Sequence, residues 1–202
     1  MANFRIDAAS SAINGFGVTS LLDVGCRGCE LQKAISEKID YFGNDLFQNN
    51  AESVAYVGDF MDLQFDRKFE CCVALDVVEH VDDPHALVAR LFSLSEKYVV
   101  ISLPNIFSLT HKRDFLFSNT LGAKYAFRSE NSLDRHRWVM SYEEIHAFFK
   151  HCEKLYDAKC VTRDLMFGSV TENGLKRAFV KCARPIFGQA NMTKAVLAVF
   201  EK

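Results

Sequence analysis

The run Leu21-Leu22-Asp23-Val24-Gly25-Cys26-Arg27-Gly28-Cys29-Glu30-Leu31 limits what this chain can fold into more than any other stretch. Leu21, Leu22 and Val24 supply an apolar run that predicts a buried strand. The residues after it predict a tight turn and the start of a helix. Gly25 and Gly28 let the backbone turn sharply and approach a ligand with no Cβ in the way. In an open α/β sheet, such a turn lies at the carboxyl end of the first strand, where ligands bind.

The segments that follow alternate. Strands are predicted over residues 20–24, 39–44, 53–57, 69–75 and 98–103. The fourth is a continuous apolar run, as expected of a strand buried on both faces. A helix after Gly28 is expected from Leu31, Ala34 and Ile35, spaced i, i+3, i+4. Asp83 fits a helix N-cap and Pro84 the first helical position, with Leu87, Leu91 and Leu94 on one face. This alternation predicts an α/β fold: a Rossmann-like, doubly wound, mostly parallel sheet with helices on both faces. Residues 2–17 predict a short helix or arm over the sheet edge or the ligand mouth.

Beyond Asn105 the pattern breaks. Residues 106–139 are rich in Phe, Arg, Lys and His without a clean period, and predict an insertion or lid over the ligand site. Ser141 and Glu144 form a capping box, with Ile145, Phe148 and Phe149 on the buried face of the next helix. Late strands are expected near 156–167 and 195–200, with a helix broken at Pro185 between them. The chain, residues 1–202, is expected to be one domain.

Composition narrows the function. Hydrophobic residues make up 49% of the chain, enough for a sizeable core, and the net charge is −2, which provides no global basic field for nucleic acid. The 7 cysteines are odd in number and no export signal precedes them, so free thiols in a reducing compartment are expected. No apolar run reaches the roughly 18 residues of a membrane span. A soluble, cytoplasmic protein is the expectation.

Three carboxylates follow three successive strands: Asp23, Asp45 and Asp59. Asp45 lies 22 residues after Asp23, the offset at which a carboxylate accepts both ribose hydroxyls of an adenosine. Asp59 can accept from the adenine amino group, and Phe60 can pack on the ring. A dinucleotide would place its pyrophosphate on the helix N-terminus and require G-x-G-x-x-G. Only Gly25 and Gly28 are present, and Glu30 would repel phosphate. S-adenosylmethionine has no phosphate, and its cationic ammonium and sulfonium groups tolerate Asp23.

The segments LLDVGCRGCEL, YFGNDL, YVGDFMDLQF, FECCVALDVVEHVDDP and YVVISLPN together resemble the class I S-adenosylmethionine-dependent methyltransferases over about residues 20–105. DRHRWVMSYEEI and AVLAVFEK extend the likeness toward the C-terminus. The resemblance implies seven strands with the last antiparallel. It implies that Asp23, Gly25 and Cys26, supported by Gly28, line the methionine part of the cofactor. Asp45 and Leu46 would hold the ribose, Asp59 and Phe60 the adenine, and Leu75 and Asp76 would flank the cofactor and face the substrate. One departure stands out: in the usual D-x-G-x-G-x-G, Arg27 and Cys29 replace the second and third glycines. That leaves open a relative that binds cofactor or partner without chemistry.

The implied reaction is in-line methyl transfer from sulfonium to a nucleophile, which rests on alignment and desolvation. An alcohol acceptor gains from a general base, for which His80 and His136 are the candidates; His111 is expected to be solvated. Lys112, Arg113, Lys124, Arg128, Arg135 and Arg137 suit either an anionic substrate or a solvated face. Cys26 and Cys29 read as packing, and the acidic and histidine residues of 76–83 show no metal-ligand spacing, so no metal is expected. The expected acceptor is a small molecule methylated at oxygen, such as a sugar. A protein or RNA acceptor is the alternative, with the near-neutral charge arguing against RNA.

Overall fold

The computed structural model describes residues 4–118, 124–125, 129, 134–166 and 183–202. Seven strands form one sheet: β1 Ser20–Val24, β2 Asp40–Asp45, β3 Tyr56–Val57, β4 Phe69–Leu75, β5 Ser95–Pro104, β6 Lys159–Met166 and β7 Thr193–Glu201. Their spatial order is β3-β2-β1-β4-β5-β7-β6. Pairs from β3 across to β5 are parallel. β7 runs antiparallel to both β5 and β6. The order reverses direction at β1, so the tips of β1 and β4 open a crevice at the carboxyl end of the sheet.

Strand alternation sends residues to two cores. Leu22, Val24, Cys72, Ala74, Val99 and Ile101 face the helices α2 (Pro84–Leu94) and α4 (Tyr142–Leu155). Leu21, Cys71, Val73 and Val100 face α1 (Phe4–Ile13) through Ala8, Ala9 and Ile13. The sheet is thus covered on both sides, as the continuous apolar run at 69–75 required. Helix starts also follow the sequence. Asp83 caps α2 by accepting from the Ala86 amide at 3.0 Å, with Pro84 next. Ser141 and Glu144 close a reciprocal capping box on α4.

Three expectations are corrected. No helix forms after Gly28: residues 27–35 are successive turns. Arg27 (φ 49°) and Cys29 (φ 55°) are left-handed, which a right-handed helix start cannot accommodate. Leu31 and Ile35 are still buried, so their spacing reported burial without helix. β3 is two residues rather than five, because the Gln48 and Asn49 side chains accept from the amides of Val54 and Ser53 and take donors a ladder would use. β5 begins at Ser95, directly after α2 with no connector, where Ser95 pairs with Phe69. The insertion contains one described helix, α3 (Leu109–Ser118). The helix expected over 172–187 lies mostly outside the described residues, although 183–187 are helical through Pro185.

Gly43 of β2 backs directly onto the glycine turn. A Cβ there would lie 2.7 Å from the Cys26 Sγ and 3.3 Å from the Cys29 Sγ. Gly43→Ala is therefore expected to lower the urea-derived unfolding free energy by about 1–3 kcal/mol through overpacking. Adding Cys26→Ala, which removes the sulfur the new methyl meets, should restore part of that loss.

Candidate active site

The turn after β1 is held from β2. The Gly25 and Cys26 amides both donate to the Asn44 carbonyl, at 2.8 and 3.0 Å. Gly25 has φ 71°, and a Cβ on it would lie 2.5 Å from Val77 Cγ2, so only glycine fits. The Arg27 amide donates to Asp45 Oδ2 at 2.8 Å, binding the turn to the tip of β2. Asp45 is half-buried and Leu46 beside it is exposed. The Gly58 amide donates to the Asp45 carbonyl, which brings Asp59 to the same rim. Asp59 accepts from the Met61 amide.

Two predicted cofactor residues sit deeper than expected. Phe60 is buried in the core beside Phe65 and under the Arg90 guanidinium. Its ring packs against protein, and Met61 is the partly exposed apolar side chain next to it. Asp23 is also buried, and accepts from the Tyr41 hydroxyl at 2.6 Å. Burial pushes its carboxyl up to about 7, against the lowering effect of the Tyr41 hydrogen bond. Cys26 and Cys29 are packed side by side, with sulfurs 3.6 Å apart, and burial pushes the Cys26 thiol up. Gly28 completes the turn with ordinary φ.

The β4 tip forms the other wall. Leu75 ends the strand, and Asp76 follows with a left-handed φ of 56°. Asp76 accepts from the Ser102 hydroxyl at 2.8 Å and lies 2.6 Å from Arg5 of α1. Two residues on, Val78–His80 form a 3₁₀ turn that carries Glu79 and His80 inward. The segment 136–138 crosses this turn: the Arg137 and Trp138 amides donate to the Glu79 carbonyl, and Trp138 Nε1 donates to the Val81 carbonyl. His136 thereby arrives against His80, with ring centroids 4.5 Å apart.

Among the described residues, Glu79, His80 and His136 form a group that could hold a metal ion, with one ligand atom from each lying within 4.8 Å of the others. Glu79 is fully buried, and its two oxygens, His80 Nε2 and both His136 nitrogens have no hydrogen-bond partner. Groups so placed are costly unless something binds them. Burial, reinforced by Asp76, pushes the Glu79 carboxyl up to about 8. Burial, with His80 and Lys124 adding to it, holds His136 down to about 3, and burial also lowers His80. The cluster is therefore a neutral acid facing two neutral imidazoles. Sequence spacing did not show it, because His136 comes 56 residues after His80. His111, expected to be solvated, is half-buried and 3.0 Å from the Ser108 hydroxyl.

A protein-family model described as a methyltransferase domain matches residues 5–153. Among solved structures, the methyltransferase domain of bacterial CtHen1 superposes with a TM-score of 0.62 at 13% identity, covering 98% of each chain. A SAM-dependent methyltransferase from Archaeoglobus fulgidus gives 0.62 at 15% identity, covering 98% of this chain and 93% of that one. The plantazolicin methyltransferase BamL, solved with a triazolic desmethylPZN analog and SAH, gives 0.64 at 14% identity, covering 100% and 85%. At these identities the likeness is one of fold. No curated protein sequence matches the chain.

Asp23 provides a test of the site's electrostatics. A carboxyl whose folded pKa is raised contributes stability that is present below its unfolded value, near 4, and lost as pH rises through about 7. Asp23→Asn keeps an acceptor for Tyr41 and removes this loss. The stability difference between Asp23→Asn and wild type should shift in the variant's favour by about 2–4 kcal/mol from pH 4 to pH 8, read by chemical denaturation across that range.

Proposed function

This chain belongs to the class I S-adenosylmethionine-dependent methyltransferases, and we propose that it methylates a hydroxyl oxygen of a small molecule held against Glu79, His80 and His136. The observation that carries this reading is the set of five buried polar atoms in that cluster with no partner. They border the β4 tip, beside Leu75 and Asp76, where the acceptor side of the cofactor would lie.

On this reading the cofactor's ribose lies on Asp45 and Leu46, its adenine beside Asp59 and Met61, and its methionine portion along Asp23, Gly25, Cys26 and Gly28. Phe60 acts from beneath as core support. When bound, S-adenosylmethionine would supply an electrophilic methyl group to the acceptor oxygen, with the carbon–sulfur bond breaking to leave S-adenosylhomocysteine. The hydroxyl proton passes to a ring nitrogen of His80 or His136. Both imidazoles are unprotonated at rest, and although burial lowers their basicity, they can still take a proton from an oxygen made strongly acidic by the incoming methyl group.

As a second reading, exclusive of the first for whichever ring nitrogens ligate, the cluster suits a divalent cation, whose charge would ionise the Glu79 carboxyl. Two imidazoles and one carboxylate favour a first-row transition ion such as Mn²⁺ or Co²⁺ over Mg²⁺, which prefers oxygen ligands. Such an ion supplies Lewis acidity toward an acceptor hydroxyl. Glu79, His80 and His136 would hold it, and the Arg137 and Trp138 amides fix the backbone that carries Glu79.

Glu79→Gln and His136→Ala should each lower Mn²⁺ affinity at least tenfold by paramagnetic resonance titration, while S-adenosylhomocysteine still binds. Equal Mn²⁺ binding by wild type and both variants would remove the cation from the reading. Asp45→Ala should weaken S-adenosylhomocysteine at least tenfold by calorimetry, because a pair of ribose hydrogen bonds is lost. Transfer of labelled methyl to polyol or sugar hydroxyls is the direct assay of the acceptor class.

A further inference from the structure

One carboxylate oxygen at the mouth of the site collects three nitrogen-bearing side chains. Asp134 Oδ1 lies 3.1 Å from Arg27 Nη2, 3.3 Å from Lys124 Nζ and 4.0 Å from His80 Nε2. The three come from separate parts of the chain. Arg27 belongs to the turn after β1, Lys124 to the insertion, and His80 to the 3₁₀ turn after β4. Asp134 is 58% exposed on its side chain and Arg27 64%, so solvent and small ligands reach both.

Arg27 adopts its left-handed φ of 49° where the usual motif has glycine. That conformation is disfavoured for a non-glycine residue, and an exposed ion pair contributes little against it. Strained backbone at a site rim is a place to look for a ligand. The Arg27 amide meanwhile holds Asp45, so the same residue that fixes the cofactor turn aims a guanidinium at the acceptor side.

We infer that Arg27 and Lys124 form the recognition site for a phosphate group on the acceptor, and that Asp134 occupies the phosphate's place in this structure. The inference rests on the methyltransferase reading above and deepens it by naming the acceptor class: a small phosphorylated polyol or sugar. An arginine and a lysine facing one point suit a phosphate oxygen, with the guanidinium able to give two parallel hydrogen bonds. The anion position borders His80 Nε2, which is unpartnered. A hydroxyl on the carbon next to the phosphoester would thus be delivered to the Glu79, His80 and His136 cluster. Displacing Asp134 exchanges one exposed anion for another and leaves the two cations paired.

The test compares sn-glycerol 3-phosphate with glycerol, by calorimetry, on protein saturated with S-adenosylhomocysteine and in EDTA so that no cation contributes. Wild type should bind the phosphate at least tenfold more tightly than glycerol. Arg27→Gln and Lys124→Gln should each weaken the phosphate at least fivefold and leave glycerol unchanged. Asp134→Asn, which removes the competing charge, should tighten it at least threefold. Equal affinities for the two compounds, or a phosphate affinity that neither glutamine variant moves, would overturn the inference while the methyltransferase reading stands. A protein that fails to bind S-adenosylhomocysteine would overturn that reading and this one with it. Binding of a ribo-oligonucleotide with a steep salt dependence, without binding of glycerol phosphate, would also overturn it and point to an RNA acceptor.

Discussion

Asn44 holds the strand tips together. Its carbonyl accepts from both Gly25 and Cys26, and its side-chain amide donates to the carbonyls of Tyr56 and Gly58 at 2.9 and 3.1 Å. One buried residue on β2 thus fixes the turn after β1 on one side and the exit of β3 on the other. Parallel strands 4.8 Å or so apart deliver the three tips side by side, but their loops would be free to separate. Four hydrogen bonds through one amino acid remove that freedom. With the backbone groups satisfied there, Asp45 and Asp59 share a rim, and Arg27 can be carried left-handed without unravelling the turn.

How much of this was legible varies by the range of the interaction involved. β4 and α2 were read to their ends or nearly so, because a two-faced apolar run, an Asp cap and a Pro at the first position act within a few residues. The helix after Gly28 was misread because its apolar spacing was real but its backbone was not free: Leu31 and Ile35 are buried by turns set by Arg27 and Cys29. β3 was misread because side chains of Gln48 and Asn49 compete with the ladder, an effect that propensity does not register. Asn44 itself had no signal, since an Asn near the end of a strand reads as punctuation.

The site divides along the same line. Strand-tip carboxylates follow a fixed offset from the glycine turn, so Asp45 and Asp59 were visible in one dimension. The depth of a side chain is not. Asp23 and Phe60 were named from position and turn out to lie under the surface, one bonded to Tyr41 and the other packed against Phe65. Glu79 with His80 was visible as a pair of adjacent residues, but His136 joins them only because the amides of Arg137 and Trp138 find the Glu79 carbonyl. That pairing is tertiary, and no spacing rule encodes it.

Charge is distributed across the crevice in a way that suits the proposed chemistry. The β1–β3 side carries Asp45 and Asp59, with Asp23 set behind them. The mouth on the other side carries Arg27 and Lys124. On the proposed reading a sulfonium cofactor is stabilised on the first side. Methyl transfer discharges the sulfonium to a neutral thioether, so the positive charge must reappear elsewhere as the hydroxyl loses its proton. On the proposed reading the imidazoles of His80 and His136, kept unprotonated at rest by burial, take it beside the Glu79 carboxyl. Moving one charge from sulfur to an imidazole on the opposite wall keeps that charge within the crevice, where fixed polar groups limit the reorganisation it requires. On this reading the burial that makes the cluster expensive to fold also keeps the imidazoles unprotonated until the acceptor oxygen, made acidic by the arriving methyl, gives up its proton.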